Sequence, residues 1–352
     1  MIRVLIVEDS PVIRDFLRHI LSADPDIQVI GTAAGGEAAL DAVRYQKPDV
    51  ITMDIHMPGM NGLEATRHIM ETHPTPIVIV SSSVVADEVN TSFRAIEAGA
   101  LAAVPRPQGL GHPEHQATAQ ELVRTVKLMS EVKVVRRWPR PRSGSRDPAA
   151  QRVGRPRAWT AIKVVAIGAS TGGPLVLQSI LSGLPKDFPT PVLIVQHMAS
   201  GFVQGFTEWL TQSTGFPVHV AAAGESPLPG HAYVAPDGVH MQVGTDRRIT
   251  LSRDVPKNGL RPSISYLFQS VAQVFRCHAA GVLLTGMGKD GAQELRLLRD
   301  TGAVTIVQDQ GSAVVYGMPG EAIRLDAATY VLPPERIAAR LAWLADKKGT
   351  EP

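Results

Sequence analysis

A serine set among small residues, Gly168-Ala169-Ser170-Thr171-Gly172-Gly173-Pro174, follows the apolar run Val164 to Ile167 and precedes a helical pattern. Strand, tight turn and helix start in that order match a Gly-x-Ser-x-Gly elbow, where small neighbours let a hydroxyl project and helix amides face an oxyanion. A glycine-rich phosphate cradle or an N-cap serine fits the segment equally well, so partners must decide. A serine hydroxyl is a poor nucleophile without a base. His197, in Val195-Gln196-His197-Met198, directly follows the next long apolar run, where a parallel sheet would bring it beside Ser170. His56, His112, His115 and His219 read as loop or strand-edge residues, while His240 and His278 stay open as bases. His112-Pro113-Glu114-His115 has a metal-like spacing but no third ligand nearby. The third group should be a carboxylate at another strand end, holding the imidazole in its productive tautomer. Asp237, Asp290 and Asp309 all qualify by spacing. The order serine, histidine, acid disfavours an α/β-hydrolase, which runs serine, acid, histidine.

A second constellation lies near the start of the chain. Apolar runs end in Glu8-Asp9, Asp54, Ser81 and, after Val104-Pro105, Arg106. Three carboxylates converging on one crevice repel unless a hard cation joins them, and Mg²⁺ accepts such oxygen ligands while keeping several waters. The chemistry implied is phosphoryl transfer onto a carboxylate, with the metal and Arg106 neutralising the phosphate and Ser81 donating a hydrogen bond.

These residues need strands to deliver them. A length of 352 residues predicts a little over two domains. With 44% apolar and 19% charged residues the chain is a folded globular one. Before residue 125, strand-like runs at Ile2–Val7, Val50–Met53, Ile77–Val80 and Leu101–Val104 alternate with helical patterns. The alternation resumes with Val164–Ile167, Val192–Val195, Val282–Leu284 and Thr305–Val307. The reading is α/β, with two doubly wound parallel-sheet domains at 1–125 and 161–346 joined by a basic linker at 126–160. From Lys133 to Arg157 nine basic residues stand against one acid, Asp147, among four prolines, which is linker composition. The net charge of +2 therefore belongs to the linker, and the remaining chain is mildly acidic, a poor footprint for a nucleic-acid backbone. Cys277 is the only cysteine, so an intrachain disulfide is excluded and a reducing cytoplasm fits. No apolar run approaches the roughly 20 residues of a membrane span, and Met1 to Val7 lacks a cleavage site.

Val7-Glu8-Asp9-Ser10 and Asp54-Ile55-His56-Met57-Pro58-Gly59-Met60-Asn61-Gly62 resemble the acidic pair and phospho-acceptor loop of response-regulator receiver domains. By that resemblance the first domain is flavodoxin-like, Asp54 is the phosphorylated aspartate, and Glu8, Asp9 and Asp54 hold Mg²⁺. Arg106 stands where receivers carry a lysine before proline, and Ala103 where an aromatic usually reports the switch. Arginine is not a conservative exchange at a phosphate contact.

Beyond the linker, Ile167 to Pro174, Gln196-His197-Met198, Arg261-Pro262-Ser263 with Leu267-Phe268, Leu284 to Gly291, and Gln308-Asp309 through Val315 to Pro319 resemble the chemotaxis protein-glutamate methylesterase (CheB) family. The resemblance implies a Rossmann-like methylesterase domain with Ser170, His197 and Asp290 as catalytic residues, and Met287 and Thr171 on the oxyanion and substrate side. It makes Asp309 a supporting residue. Ser265 stands where an acidic residue is expected, which predicts altered substrate contacts but no contact with the triad. The implied activity is hydrolysis of glutamyl methyl esters on chemoreceptors with release of methanol, and glutamine deamidation as a second activity. Ester hydrolysis needs no cofactor. The implied partners are methylated chemoreceptors and the chemotaxis histidine kinase as phosphodonor, with the receiver covering the esterase site until Asp54 is phosphorylated. The expected location is cytoplasmic, reaching the membrane only through receptors. A response regulator with a binding or nucleic-acid output is the alternative, though no helix-turn-helix pattern follows the linker.

Overall fold

A computed structural model describes residues 1–81, 86–132, 134, 151–152 and 161–346. Most of the expected linker lies outside them. The chain divides into two compact units, on either side of residues 144 and 145.

In the first unit, strands β1 (Ile2–Val7), β2 (Ile27–Ala33), β3 (Val50–Met53), β4 (Ile77–Ser81) and β5 (Ala102–Pro105) alternate with helices. The helices are α1 (Pro11–Ser22), α2 (Gly36–Gln46), α3 (Gly62–Thr72), α4 (Ala86–Glu97) and α5 (His115–Ser130). The strands pair in parallel in the order β2-β1-β3-β4-β5. This is the flavodoxin-like doubly wound order, and its chain reversal opens a crevice between β1 and β3. β3 and β4 are buried throughout, as continuous apolar runs covered on both faces must be. On α5, Leu122, Val126 and Met129 share one helical face and pack into the cluster around Val4, Ile6, Val78 and Val80. The unit therefore extends past the expected boundary at residue 125, because the helix that closes its core ends only at Ser130. β2, which the alternation of apolar runs does not flag, is partly exposed over most of its length.

The second unit opens with β6 (Gln151–Arg152), β7 (Val164–Ala169), α6 (Gly173–Gly183), β8 (Val192–Gln196) and α7 (Val203–Thr214). It continues with β9 (Val218–Val220), β10 (Ala232–Val234), β11 (His240–Val243), β12 (Ile249–Ser252), α8 (Ile264–Val274), β13 (Ala279–Leu283) and α9 (Ala292–Asp300). β14 (Val304–Gln308), α10 (Gly317–Arg324), β15 (Tyr330–Leu332) and α11 (Pro334–Ala345) complete it. Its main sheet runs β6-β15-β14-β13-β7-β8-β10-β9, parallel except where β6 pairs antiparallel with β15. The β11–β12 hairpin forms a separate antiparallel sheet, an addition to the parallel architecture read from the sequence. Three-residue strands such as β9, β10 and β15 are too short to show a period, so tertiary pairing alone defines them.

Candidate active site

Parallel pairing sets the site. Ala169 on β7 lies opposite Gln196 on β8, so the residues that follow, Ser170 and His197, leave the sheet side by side at its carboxyl edge. The N–H of His197 donates to the Ala169 carbonyl at 3.0 Å, and that of Ser170 to the Thr285 carbonyl at 3.0 Å. The turn then closes through the Gly173 N–H on the Ser170 carbonyl at 2.8 Å. Gly172 makes this turn possible: its φ is +77°, and a Cβ there would come within 2.7 Å of the Val314 side chain. Pro174 in the first turn of α6 suits a helix start that lacks N–H partners.

His197 Nε2 lies 3.0 Å from Asp290 Oδ2. An ionised carboxylate only accepts, so Nε2 carries the proton and Nδ1 keeps its lone pair. Asp290 sits in the turn after β13, is 3% exposed, and also accepts from the Ser263 hydroxyl and the Ile264 N–H, each at 2.7 Å. Burial opposes its charge, but the bonds from His197, Ser263 and Ser265 outweigh that and hold the carboxyl below its usual range. Among the described residues no hydrogen bond joins the Ser170 hydroxyl to the His197 ring, and such contacts commonly tighten only once substrate is bound.

The loop from Thr285 to Asp290 forms the other wall. The Thr285 hydroxyl donates to the Thr171 carbonyl at 2.9 Å, and the Thr285 N–H to buried Gln308 Oε1 at 2.8 Å. A Cβ on Gly286 would fall 2.6 Å from the Ser170 Cβ, so only glycine lets this loop approach the serine. Met287 projects with 43% of its surface exposed. Among the described residues the N–H groups of Thr171 and Met287 donate to no protein acceptor.

The other candidates fall elsewhere. Asp237 accepts from the Gly201 N–H at 2.7 Å and braces the loop after His197. Asp309 accepts from the Ser312 hydroxyl. His240 is buried, stacked on Tyr266, and its Nδ1 accepts from the Ser263 N–H at 3.2 Å, behind Asp290 rather than beside the serine. His278 Nδ1 lies 3.4 Å from the Ala161 carbonyl.

In the first unit, Glu8, Asp9 and Asp54 bring one carboxylate oxygen each to within 4.8 Å of one another at the carboxyl ends of β1 and β3. Burial and the nearby Asp54 push Glu8 up to about 7, against the pull of Arg106. Burial also raises Asp54, and its Oδ1 is buried without a hydrogen-bond partner. A crowded acidic set with an orphaned oxygen fits a hard divalent cation, which supplies the missing positive charge. Arg106 from the end of β5 pairs with Glu8 Oε2 at 3.2 Å, and its N–H donates to the Ser81 carbonyl at 2.7 Å. The capping box of Asn61 and Glu64 at the start of α3 pins the far end of the Asp54 loop.

Residues 165–341 match the family model described as CheB methylesterase, and residues 4–112 that of the response regulator receiver domain. A protein-glutamate methylesterase/protein-glutamine glutaminase of Nitrosospira multiformis is 59% identical over 351 residues, covering 99% of this chain and 98% of its own. The chain belongs to the CheB methylesterase family. A second such protein, from Geobacter metallireducens, is 58% identical over 352 residues and is covered along 100% of its length. The Thermotoga maritima CheB methylesterase catalytic domain superposes with a TM-score of 0.51 at 34% identity, covering 53% of this chain and 100% of its own. These relatives do not favour a nucleic-acid output. No helix among the described residues is long and apolar enough to cross a membrane.

Within the CheB framework, two residues carry more than the sequence reading allowed. Ser265 does touch the acid, correcting the expectation that it stands clear of it: its hydroxyl donates to Asp290 Oδ1 at 2.8 Å. The α8 start curls Ser263 and Ser265 around the carboxylate, a proximity that spacing along the chain does not reveal. Gln196, 3% exposed, donates through Nε2 to the carbonyls of Ser170 at 2.9 Å and His197 at 2.8 Å. A polar residue ending an otherwise apolar strand was its only signal.

Proposed function

We propose that this chain hydrolyses glutamyl methyl esters on chemoreceptors, releasing methanol, and deamidates receptor glutamines, under control of phosphorylation at Asp54. One observation carries the reading: the 3.0 Å bond between His197 and buried Asp290, at the sheet edge where Ser170 turns out of β7. In this mechanism Ser170 Oγ attacks the γ-carbonyl while His197 Nδ1 takes the hydroxyl proton. The same ring returns the proton to the departing methoxide, or, when the substrate is glutamine, to the departing amide nitrogen, which leaves as ammonia. Asp290 fixes the ring's tautomer and stabilises its cation. The N–H groups of Thr171 and Met287 receive the oxyanion, a contribution of about 3 kcal/mol per donor. Water activated by His197 then releases the glutamate and restores Ser170.

In the receiver unit Glu8, Asp9 and Asp54 would hold Mg²⁺, which when bound offsets charge on an incoming phosphoryl group. Arg106 and Ser81 would contact that group on Asp54. The phosphodonor in this reading is the chemotaxis histidine kinase, and the protein works in the cytoplasm on the receptors' methylated segments.

The test is methanol release from methylated receptor membranes. Ser170→Ala should lose at least about a thousandfold in kcat, and full activity in that variant rejects the assignment. Equal rates with and without a small phosphodonor and Mg²⁺ reject the regulatory part.

A further inference from the structure

The carboxylate of Asp290 ends a chain of contacts that leads away from the reacting atoms. Its Oδ1 accepts from the Ser265 hydroxyl at 2.8 Å, and the same hydroxyl lies 2.6 Å from Glu294 Oε2 on α9. The other Glu294 oxygen meets Lys257 Nζ at 2.6 Å. Ser265 is 2% exposed, and its oxygen also accepts the Gly291 N–H at 3.2 Å. A hydroxyl carries one proton, so it can serve only one of the two carboxylates at a time. Which one it serves depends on how well Glu294 is neutralised by other means. Lys257 supplies a full positive charge on the far oxygen, and the dipole at the start of α9 adds favourable partial charge. With Oγ 2.8 Å from Asp290 Oδ1 and 2.6 Å from Glu294 Oε2, the Ser265 proton is shared between the two carboxylates.

We propose that Lys257, Glu294 and Ser265 form a positioning relay that fixes how strongly Asp290 attracts the proton of His197, and so the pH range in which His197 works as a base. None of the three is a member of the triad. The relay rests on Asp290 being the acid of the proposed esterase. Other groups face Asp290 from each packed element: His197 after β8, Ser263 at the start of α8, and His240 on β11, whose pKa burial lowers and which is flanked by Arg261 and Asp254. Lys257 with Glu294 are the charges that a substitution can alter without touching the triad.

The two charges predict opposite outcomes. In Lys257→Met the bare Glu294 draws the Ser265 proton, Asp290 loses a donor, and the imidazolium is favoured, so the acid limb of kcat/KM against pH moves up by about half a unit. In Glu294→Gln the carboxamide donates to Ser265 Oγ, the hydroxyl proton passes wholly to Asp290, and the limb moves down by a similar amount. A Ser265→Ala background should collapse this split, because the coupling passes through the hydroxyl. The assay is methanol release from methylated receptor membranes by the full chain across pH 5 to 9, with thermal unfolding recorded alongside. Asp290→Asn separates the two readings. If it keeps full activity, the triad assignment falls. If it is inactive while Lys257→Met and Glu294→Gln leave the limb unmoved, or shift it the same way, only the relay is overturned. A split that survives unchanged without the Ser265 hydroxyl also overturns it, since a bare electrostatic field would then suffice.

Discussion

Asp290→Asn changes one atom and should disable both the chemistry and part of the fold. The wild-type carboxylate receives the Ser263 and Ser265 hydroxyls on Oδ1, at 2.7 and 2.8 Å, and the Ile264 N–H and His197 Nε2 on Oδ2, at 2.7 and 3.0 Å. Hydroxyls can rotate to accept from an amide, but the Ile264 N–H cannot. With the amide nitrogen on the Oδ2 side, two donors collide and His197 must take the wrong tautomer. With it on the Oδ1 side, the anion is still lost and charge-assisted bonds worth about 1.5–3 kcal/mol each become neutral ones. We expect a loss near 3 kcal/mol in stability and about 10⁴-fold in kcat, equivalent to roughly 5 kcal/mol in the barrier. Methanol release and thermal unfolding read the two effects separately. The stability gap has a defined pH dependence. The Asp290 carboxyl is held below its ordinary value of 3.8 in the folded state, so its stabilisation is complete above that value. It disappears as pH falls through the lowered value, and the two proteins should converge there. A variant within tenfold of wild-type kcat, or a stability gap that persists unchanged into strong acid, refutes the reasoning.

Gln196→Leu leaves the Ser170 and His197 carbonyls without their donor at similar side-chain volume, and should cost about 2 kcal/mol in stability and at least tenfold in kcat. Unaltered kcat with an unaltered unfolding midpoint would remove Gln196 from the site. Gly286→Ala drives a Cβ into the Ser170 Cβ, which sits 2.6 Å from that position, so the loop must retreat and kcat should drop about a hundredfold. Wild-type turnover would show that the loop has room. Mg²⁺ should raise the unfolding midpoint of the first unit, by the equivalent of about 2.7 kcal/mol at a hundredfold excess over Kd, and Asp9→Asn should abolish the shift. A midpoint that ignores Mg²⁺ argues against the three-carboxylate site.

The elements that carry chemistry were legible because they end continuous apolar strands. β3, β4, β7 and β8 throughout, and β1 from Val4 onward, are buried on both faces, so their composition is set locally, and the residue after each run lies on the ligand-binding edge of a parallel sheet. That rule pointed to Glu8, Asp54 and His197, with His240 and His278 left open as bases, and the Gly-x-Ser-x-Gly pattern added Ser170. Neither located the acid. Asp237, Asp290 and Asp309 all follow strand ends, and spacing treats them alike; family resemblance singled out Asp290, and the structure brings that residue to His197. Ser265 and Gln196 were misread or overlooked because their partners are remote in sequence, 25 residues away for Ser265 with Asp290 and 26 for Gln196 with Ser170. The short strands β9, β10 and β15 gave no periodic signal for the same reason, being defined by the neighbours they pair with.

What the amino-acid order determined is which side chains reach the carboxyl edges of two parallel sheets, because burial on both faces leaves strand residues little choice and turn residues must do the rest. Which of those side chains meet was left to tertiary structure. The register of β7 against β8 starts the Ser170 turn beside His197, and the approach of the α8 start to the turn after β13 accompanies the meeting of imidazole and carboxylate. Those contacts depend on sheet order and crossover geometry, and no local pattern encodes either.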